Sequence, residues 1–201
     1  MTAGVLADLV LAGRVALREM TPGWRRGVHR LDAASHRLCV FAEDTTAPGD
    51  AVLDAALAKI SQRRRETDLA WWIGHVCPRI SVFTHLLERG VIERSGYRGT
   101  VSEAVAGGVR RRLEQTLDGP GVTDARTAAV VLLARAGGFF DPKKNGHNTI
   151  SSAAPTVVRE RMNKLASLPS VAPVHPLVGA IAEIRGEKGR KTDVAVWQLS
   201  S

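Results

Sequence analysis

The sequence predicts a mainly α fold, a single-domain helical bundle with small β-hairpins. Three observations carry this prediction. Apolar residues recur at helical spacing in successive stretches, as in helices with one buried face. Asp, Ser or Pro precedes most of these stretches, where helices start. Period-two alternation is confined to short segments. A chain of 201 residues defaults to one domain, and 44% hydrophobic content supplies a core.

Taken in order, Gly4–Ala12 reads as a short apolar helix closed by Gly13. Val15 and Leu17, then Leu38 and Val40, alternate as two short strands. Between them Met20–Ser35 carries Arg25, Arg26 and Arg30 with Pro22 and Gly23, an exposed basic loop or hairpin arm. Thr45–Asp50 is a turn and helix-start signal, with Asp50 the N-cap because its carboxylate accepts the free N–H groups of a first turn. Val52, Leu53, Ala56, Leu57 and Ile60 follow at helical spacing. Arg63–Arg65 stands at the end of that helix, where cations suit the macrodipole.

Asp68 caps a helix carrying Leu69, Trp72, Ile73 and Val76. Pro78 breaks it or starts the next, whose apolar face is Ile80, Phe83, Leu86 and Leu87, ending at Gly90. Val91–Arg94 and Tyr97–Thr100 read as a hairpin turned at Ser95-Gly96. Ser102 opens a helix through Leu117 with Val105, Val109, Leu113 and Leu117 on one face and Arg110–Arg112 on the other. Asp124 caps Ala125–Ala136, which is apolar nearly all round and therefore belongs at the centre of a bundle. Gly137-Gly138 stops it. Asp141–Ser152 is a polar loop, Pro155 starts Thr156–Leu165, and Pro176 starts Leu177–Ile184. The tail 185–201 is basic, then apolar with alternation at Val194 and Val196. That pattern suggests a strand pairing with another subunit, so a homo-oligomer through the tail is an expected partnership.

No apolar run approaches the ~20 residues of a transmembrane helix. The N-terminus lacks a basic region ahead of its apolar stretch and places Asp8 inside it, so no signal peptide is expected. Two cysteines, Cys39 and Cys77, give neither a disulfide framework nor metal spacing and read as buried reduced thiols. The expected location is cytoplasmic, peripheral on the inner face of the membrane. A net charge of +8, most of it Arg, points to a polyanionic partner, a nucleic acid or a negatively charged membrane.

Catalytic patterns are missing: no phosphate loop, no dinucleotide fingerprint, no nucleophile elbow, no helical zinc motif. The six histidines (His29, His36, His75, His85, His147, His175) show no paired metal spacing. The expectation is therefore no enzyme, no cofactor and no metal. Two basic features stand out. One is Phe83–Arg98, an apolar helix then a short hairpin with Arg89, Arg94 and Arg98, the sequence look of a winged helix on DNA. The other is the set Arg79, Arg63–Arg65, Arg25, Arg26 and Arg30, which suits an acidic lipid surface.

Four motifs in order resemble the Golgi phosphoprotein 3-like family. They are the opening apolar helix with Gly13-Arg14, the Pro48-Gly49-Asp50 stretch with Leu53-Asp54-Ala55-Ala56-Leu57, the Trp71-Trp72 helix with Leu86-Leu87-Glu88-Arg89-Gly90-Val91, and the helix Asp124–Gly138. The resemblance runs from about Ala3 to Ile184, and it suggests a bacterial-type member shortened at the N-terminus, with domain limits 1–184 and the tail 185–201. It implies a helical bundle that recognises phosphatidylinositol 4-phosphate or related acidic headgroups without catalysis. In the family a Trp and several Arg form the shallow pocket, and the hairpin after Val91 contacts membrane. Here the helix bearing the pocket Trp is missing, one pocket Arg falls on Thr2, another on Val76, and one is matched by Arg79. The hairpin is also shortened. The expected lipid-binding residues are Arg79, Arg14, Arg63, Arg64 and Arg65. The alternatives are a winged-helix-like DNA-binding protein and a protein-interaction scaffold with a degenerate lipid site. Nucleic acid is the less favoured partner.

Overall fold

A computed structural model describes residues 2–19, 38–63, 67–76, 79–95, 98–118, 123–138 and 155–187. Among them lie eight α-helices, one 3-10 helix and two antiparallel two-stranded hairpins, the mainly α arrangement that the patterning predicts.

Helix α1 (Thr2–Leu11) buries Leu6, Ala7, Leu9 and Val10. Gly13 terminates it at φ 66°, with Gly13 N–H bonded to Val10 O (3.0 Å) and Arg14 N–H to Leu9 O (2.9 Å). That double closure needs a left-handed residue, which glycine adopts without a Cβ penalty. The chain then enters β1 (Val15–Glu19), which pairs with β2 (Leu38–Ala42) in the register Leu17↔Val40. The expected basic loop between these strands lies outside the described residues, and so does Cys77. Cys39 is a buried, reduced thiol, as expected.

Helices α2 (Ala51–Ser61) and α3 (Leu69–His75) start where the sequence placed their caps. Asp50 accepts from the N–H of Val52 (3.0 Å) and Leu53 (3.3 Å), and Asp68 from that of Trp71 (2.6 Å). Helix α4 (Arg79–Glu88) follows. Its buried contact is Val82, with Leu86 packed against the core, while Phe83 and Leu87 are half-buried. The helix is thus rotated about one residue from the face expected on Phe83 and Leu87. Strands β3 (Ile92–Ser95) and β4 (Arg98–Val101) pair in the register Ser95↔Arg98, so Ser95 belongs to the strand rather than to the turn.

Helix α5 (Glu103–Asp118) buries only Thr116 and Leu117; Val109, expected on its apolar face, is 54% exposed. Burial is confined to its C-terminal end, beside α6 (Ala125–Ala136) and α7 (Pro155–Ala166). There Arg161 of α7 donates Nε to the Thr116 carbonyl at 2.9 Å. A 3-10 helix (Pro169–Val174), absent from the sequence reading, leads into α8 (His175–Glu187). Arg185, read as the start of the tail, lies inside α8; residues 188–201 and the Asp141–Ser152 loop lie outside the described residues.

At the centre is α6. Thr127, Ala128, Ala129, Val131, Leu132, Leu133 and Ala136 are all buried, and α1, α5, α7, the 3-10 helix and α8 pack around it. Asp124 caps it, bonding Thr127 through both the backbone N–H (2.9 Å) and the hydroxyl (2.6 Å). Those two bonds, the hydroxyl foremost, hold the Asp124 carboxyl below its ordinary value.

Two measurements test this account. Leu132 is fully buried, so Leu132→Ala should cost about 2–5 kcal/mol in urea denaturation through lost transfer energy and a residual cavity. Asp50 also faces His85 Nε2 (3.4 Å) and Arg89 (3.5 Å). Burial opposes its charge, but the Leu53 and Val52 N–H groups, His85 and Arg89 outweigh it and lower its pKa below 3.8. A depressed carboxylate stabilises fully above its unfolded value and loses that stabilisation as pH falls through the folded value. Asp50→Asn should therefore be less stable than wild type at neutral pH, and the difference should close as pH falls through the lowered folded-state value of Asp50.

Candidate anion-binding site at the α2–α3 junction

The ends of α2 and α3 bring together Lys59, Arg63, Thr67, Trp71, Trp72 and His75. Lys59 is in the last turn of α2, and Arg63 follows the C-cap Gln62. Thr67 and Asp68 start α3, and a bridge between Cys39 and Asp68 ties that start to β2. Helical spacing then puts Trp71 and His75 one turn apart on a single face. Trp72, on the inner side, is 1% exposed and anchors the helix in the core.

Within this cluster Arg63 is exposed, yet its guanidinium is held. The Cζ atom sits 3.9 Å from the Trp71 ring centroid and 5.7 Å from that of Trp72. The two indoles meet edge to face at 5.0 Å and 85°, so the guanidinium occupies the elbow between them. Its Nε donates to the buried Thr67 hydroxyl at 2.6 Å. The opposing Trp71 contact is His75, whose ring stacks on the indole at 4.4 Å and 11°. His75 Nδ1 lies 2.7 Å from the Trp71 carbonyl, which requires Nδ1 to carry a proton and donate. Lys59 Nζ donates to the His75 carbonyl at 2.5 Å, tying the end of α2 to the end of α3. Among the described residues no carboxylate pairs with Lys59, Arg63 or His75. Trp72 Nε1 is buried without an acceptor there.

The other predicted cations fare differently. Arg14 ion-pairs with Asp44, and its Nε is buried without a hydrogen-bond partner. Arg79 is the first residue of α4, close in sequence after Val76, and Val76 is 1% exposed. The side chain of Arg79 lies outside the description, as do Arg64 and Arg65, and also Arg94 and Arg98 of the winged-helix alternative. Helix α4 and the β3–β4 hairpin do occur in the order that alternative requires. The sequence placed Arg63 at a helix end and among the expected lipid-binding residues, but gave no link from it to Trp71, His75 or Lys59. Arg63 lies just beyond the end of α2 and Trp71 lies within α3, so no single period links them.

No described helix is long and apolar enough to cross a membrane; α7 and the segment after it reach that measure only as a pair bent by 87°. The described residues contain no group of three or more His, Cys, Asp or Glu arranged to hold a metal ion. Compared with models of protein families, the chain matches the one described as Golgi phosphoprotein 3 (GPP34) over residues 1–184. No curated protein matches it.

If the guanidinium is held by the indole, Arg63 and Trp71 should be energetically coupled. A double-mutant cycle of Arg63→Ala and Trp71→Ala, read by urea denaturation, should give a coupling of about 0.5–1 kcal/mol, the range for an exposed cation over an aromatic face.

Proposed function

The chain belongs to the Golgi phosphoprotein 3 family, and from that membership we propose that it is a non-catalytic, peripheral membrane adaptor that binds anionic phospholipid headgroups of the phosphatidylinositol 4-phosphate kind. The observation that carries the reading is the cationic junction where the ends of α2 and α3 come together. Lys59 and Arg63 stand there without a carboxylate partner among the described residues, and Arg79 opens α4 just beyond. Arg79 is the pocket residue that the family resemblance transfers, with Arg63, Arg64 and Arg65 as supporting cations. Arg14, already paired with Asp44, is the weakest member of the set. The chain's +8 charge adds a long-range attraction to acidic bilayers of about 1 kcal/mol per cation near the surface.

Co-sedimentation with vesicles at about 0.15 M salt, where loose surface attraction is largely screened, tests the proposal. Wild type should prefer vesicles bearing phosphatidylinositol 4-phosphate over neutral ones and over phosphatidylserine at equal charge. Arg79→Glu should lower that binding about tenfold or more, since it exchanges a contacting cation for an anion. Arg110→Glu, on the exposed face of α5, should lower it much less. Equal losses for the two variants would reduce the interaction to bulk charge.

A further inference from the structure

The Arg63 cluster has the geometry of a recognition site rather than of a solvated charge. An exposed Arg ordinarily loses side-chain entropy when a ligand orders it. Arg63 is already ordered by Thr67 and by the elbow of Trp71 and Trp72. The hydrogen bond to Thr67 uses Nε, which leaves the two Nη groups as an end-on fork. The Cζ atom lies over the Trp71 ring, a cation–π contact that uses none of the guanidinium N–H donors. At the end of α2, Lys59 has one N–H on the His75 carbonyl and two remaining. His75 has Nδ1 committed to the Trp71 carbonyl and Nε2 available.

We propose that Arg63, held between Trp71 and Trp72, anchors a binding site for a phosphate monoester, completed by His75, which stacks on Trp71, and by Lys59, which is bonded to the His75 carbonyl. It is anchored on other residues than Thr2, Val76 and Arg79, the positions to which the family resemblance assigns the pocket. A monoester presents three terminal oxygens and about two negative charges. The fork takes two oxygens in plane, and Lys59 or His75 takes the third. A carboxylate offers only the two oxygens of the fork. A phosphodiester, as in a nucleic-acid backbone or phosphatidylserine, offers two free oxygens and one charge. The inference deepens the anionic-ligand reading above and rests on it, but not on a membrane being the source. A phosphorylated lipid headgroup and a soluble phosphorylated metabolite share the chemistry.

The test is calorimetric titration of full-length protein with two probes, water-soluble dibutanoyl phosphatidylinositol 4-phosphate and glycerol 3-phosphate. Arg63→Lys keeps the charge and loses the fork, so it should weaken every probe that wild type binds by about tenfold or more. Trp71→Phe keeps a ring, serves as a second variant, and should weaken the same probes severalfold. Binding of the lipid probe alone, with that sensitivity, assigns the site to a headgroup. Binding of glycerol 3-phosphate with no vesicle binding keeps the site and removes the membrane role. Wild-type affinity in Arg63→Lys overturns the proposal, and loss of vesicle binding only in Arg79→Glu would then leave the peripheral reading standing. Failure of wild type to bind either probe also overturns it.

Discussion

Everything in this fold depends on one helix having no polar side. From its second turn α6 presents small and branched apolar residues in nearly every direction, and seven of its twelve residues are buried. Such a helix is stable in water only when surrounded. Five elements do this, from α1 at one end of the chain to α8 at the other. Much of the apolar area that drives folding is therefore gathered around residues 127–136, and those helices are fixed by contact with it. Elements with a weaker hold on this centre, namely α2, the outer side of α3 and the two hairpins, form the rim where side chains stay in water.

The division between centre and rim decides how much of the structure could be read in the sequence. The centre was legible because its signals are local. Asp50, Asp68 and Asp124 each stand one residue before a helix and each caps it by accepting backbone N–H groups. The all-round apolarity of Ala125–Ala136 stated its own burial. Faces of the surrounding helices were less legible. On α4 a shift of one residue moves the buried position to Val82, because several apolar residues compete and the neighbours decide which turns inward. On α5 the stripe Val105, Val109, Leu113, Leu117 has the right period, yet only its last member is fully covered. Period shows that a face exists but not how far along it the partner extends.

The candidate site was legible in part for the same reason. A run of arginines after α2 could be read from sequence, and helix-end chemistry accounted for it adequately. What changes its meaning is the tertiary contact between Arg63 and two tryptophans of the next helix. Trp71 and Trp72 point to different sides of α3, one toward the surface and one into the core, and the elbow between them exists only once Trp72 is buried on the inner side of α3, which packs against α1, β2 and α8. Burial of Trp72 thus positions an exposed guanidinium through the ring beside it. The order in the centre is carried to the rim through a single pair of adjacent residues.

This arrangement also bears on the pocket position that the family resemblance places at Val76. With 1% of its surface exposed, Val76 closes the end of α3 with apolar volume, and its N–H bonds the Trp72 carbonyl at 2.9 Å. A guanidinium there would have to be desolvated, at several kcal/mol unless an anion were always present. The cations at this end of the bundle are instead Arg63 and Lys59, which remain in contact with water when no ligand is bound. Placing the charge on the rim removes the desolvation cost of the unliganded state, and the indole restores the orientation that an exposed side chain otherwise lacks. The exchange favours a ligand that arrives from solution or from a surface and leaves again, since neither bound nor free protein holds an uncompensated buried charge. Affinity at such a site comes from the geometry of the fork more than from burial, so replacing Arg63 by Lys is a sharper probe of it than removing the charge altogether.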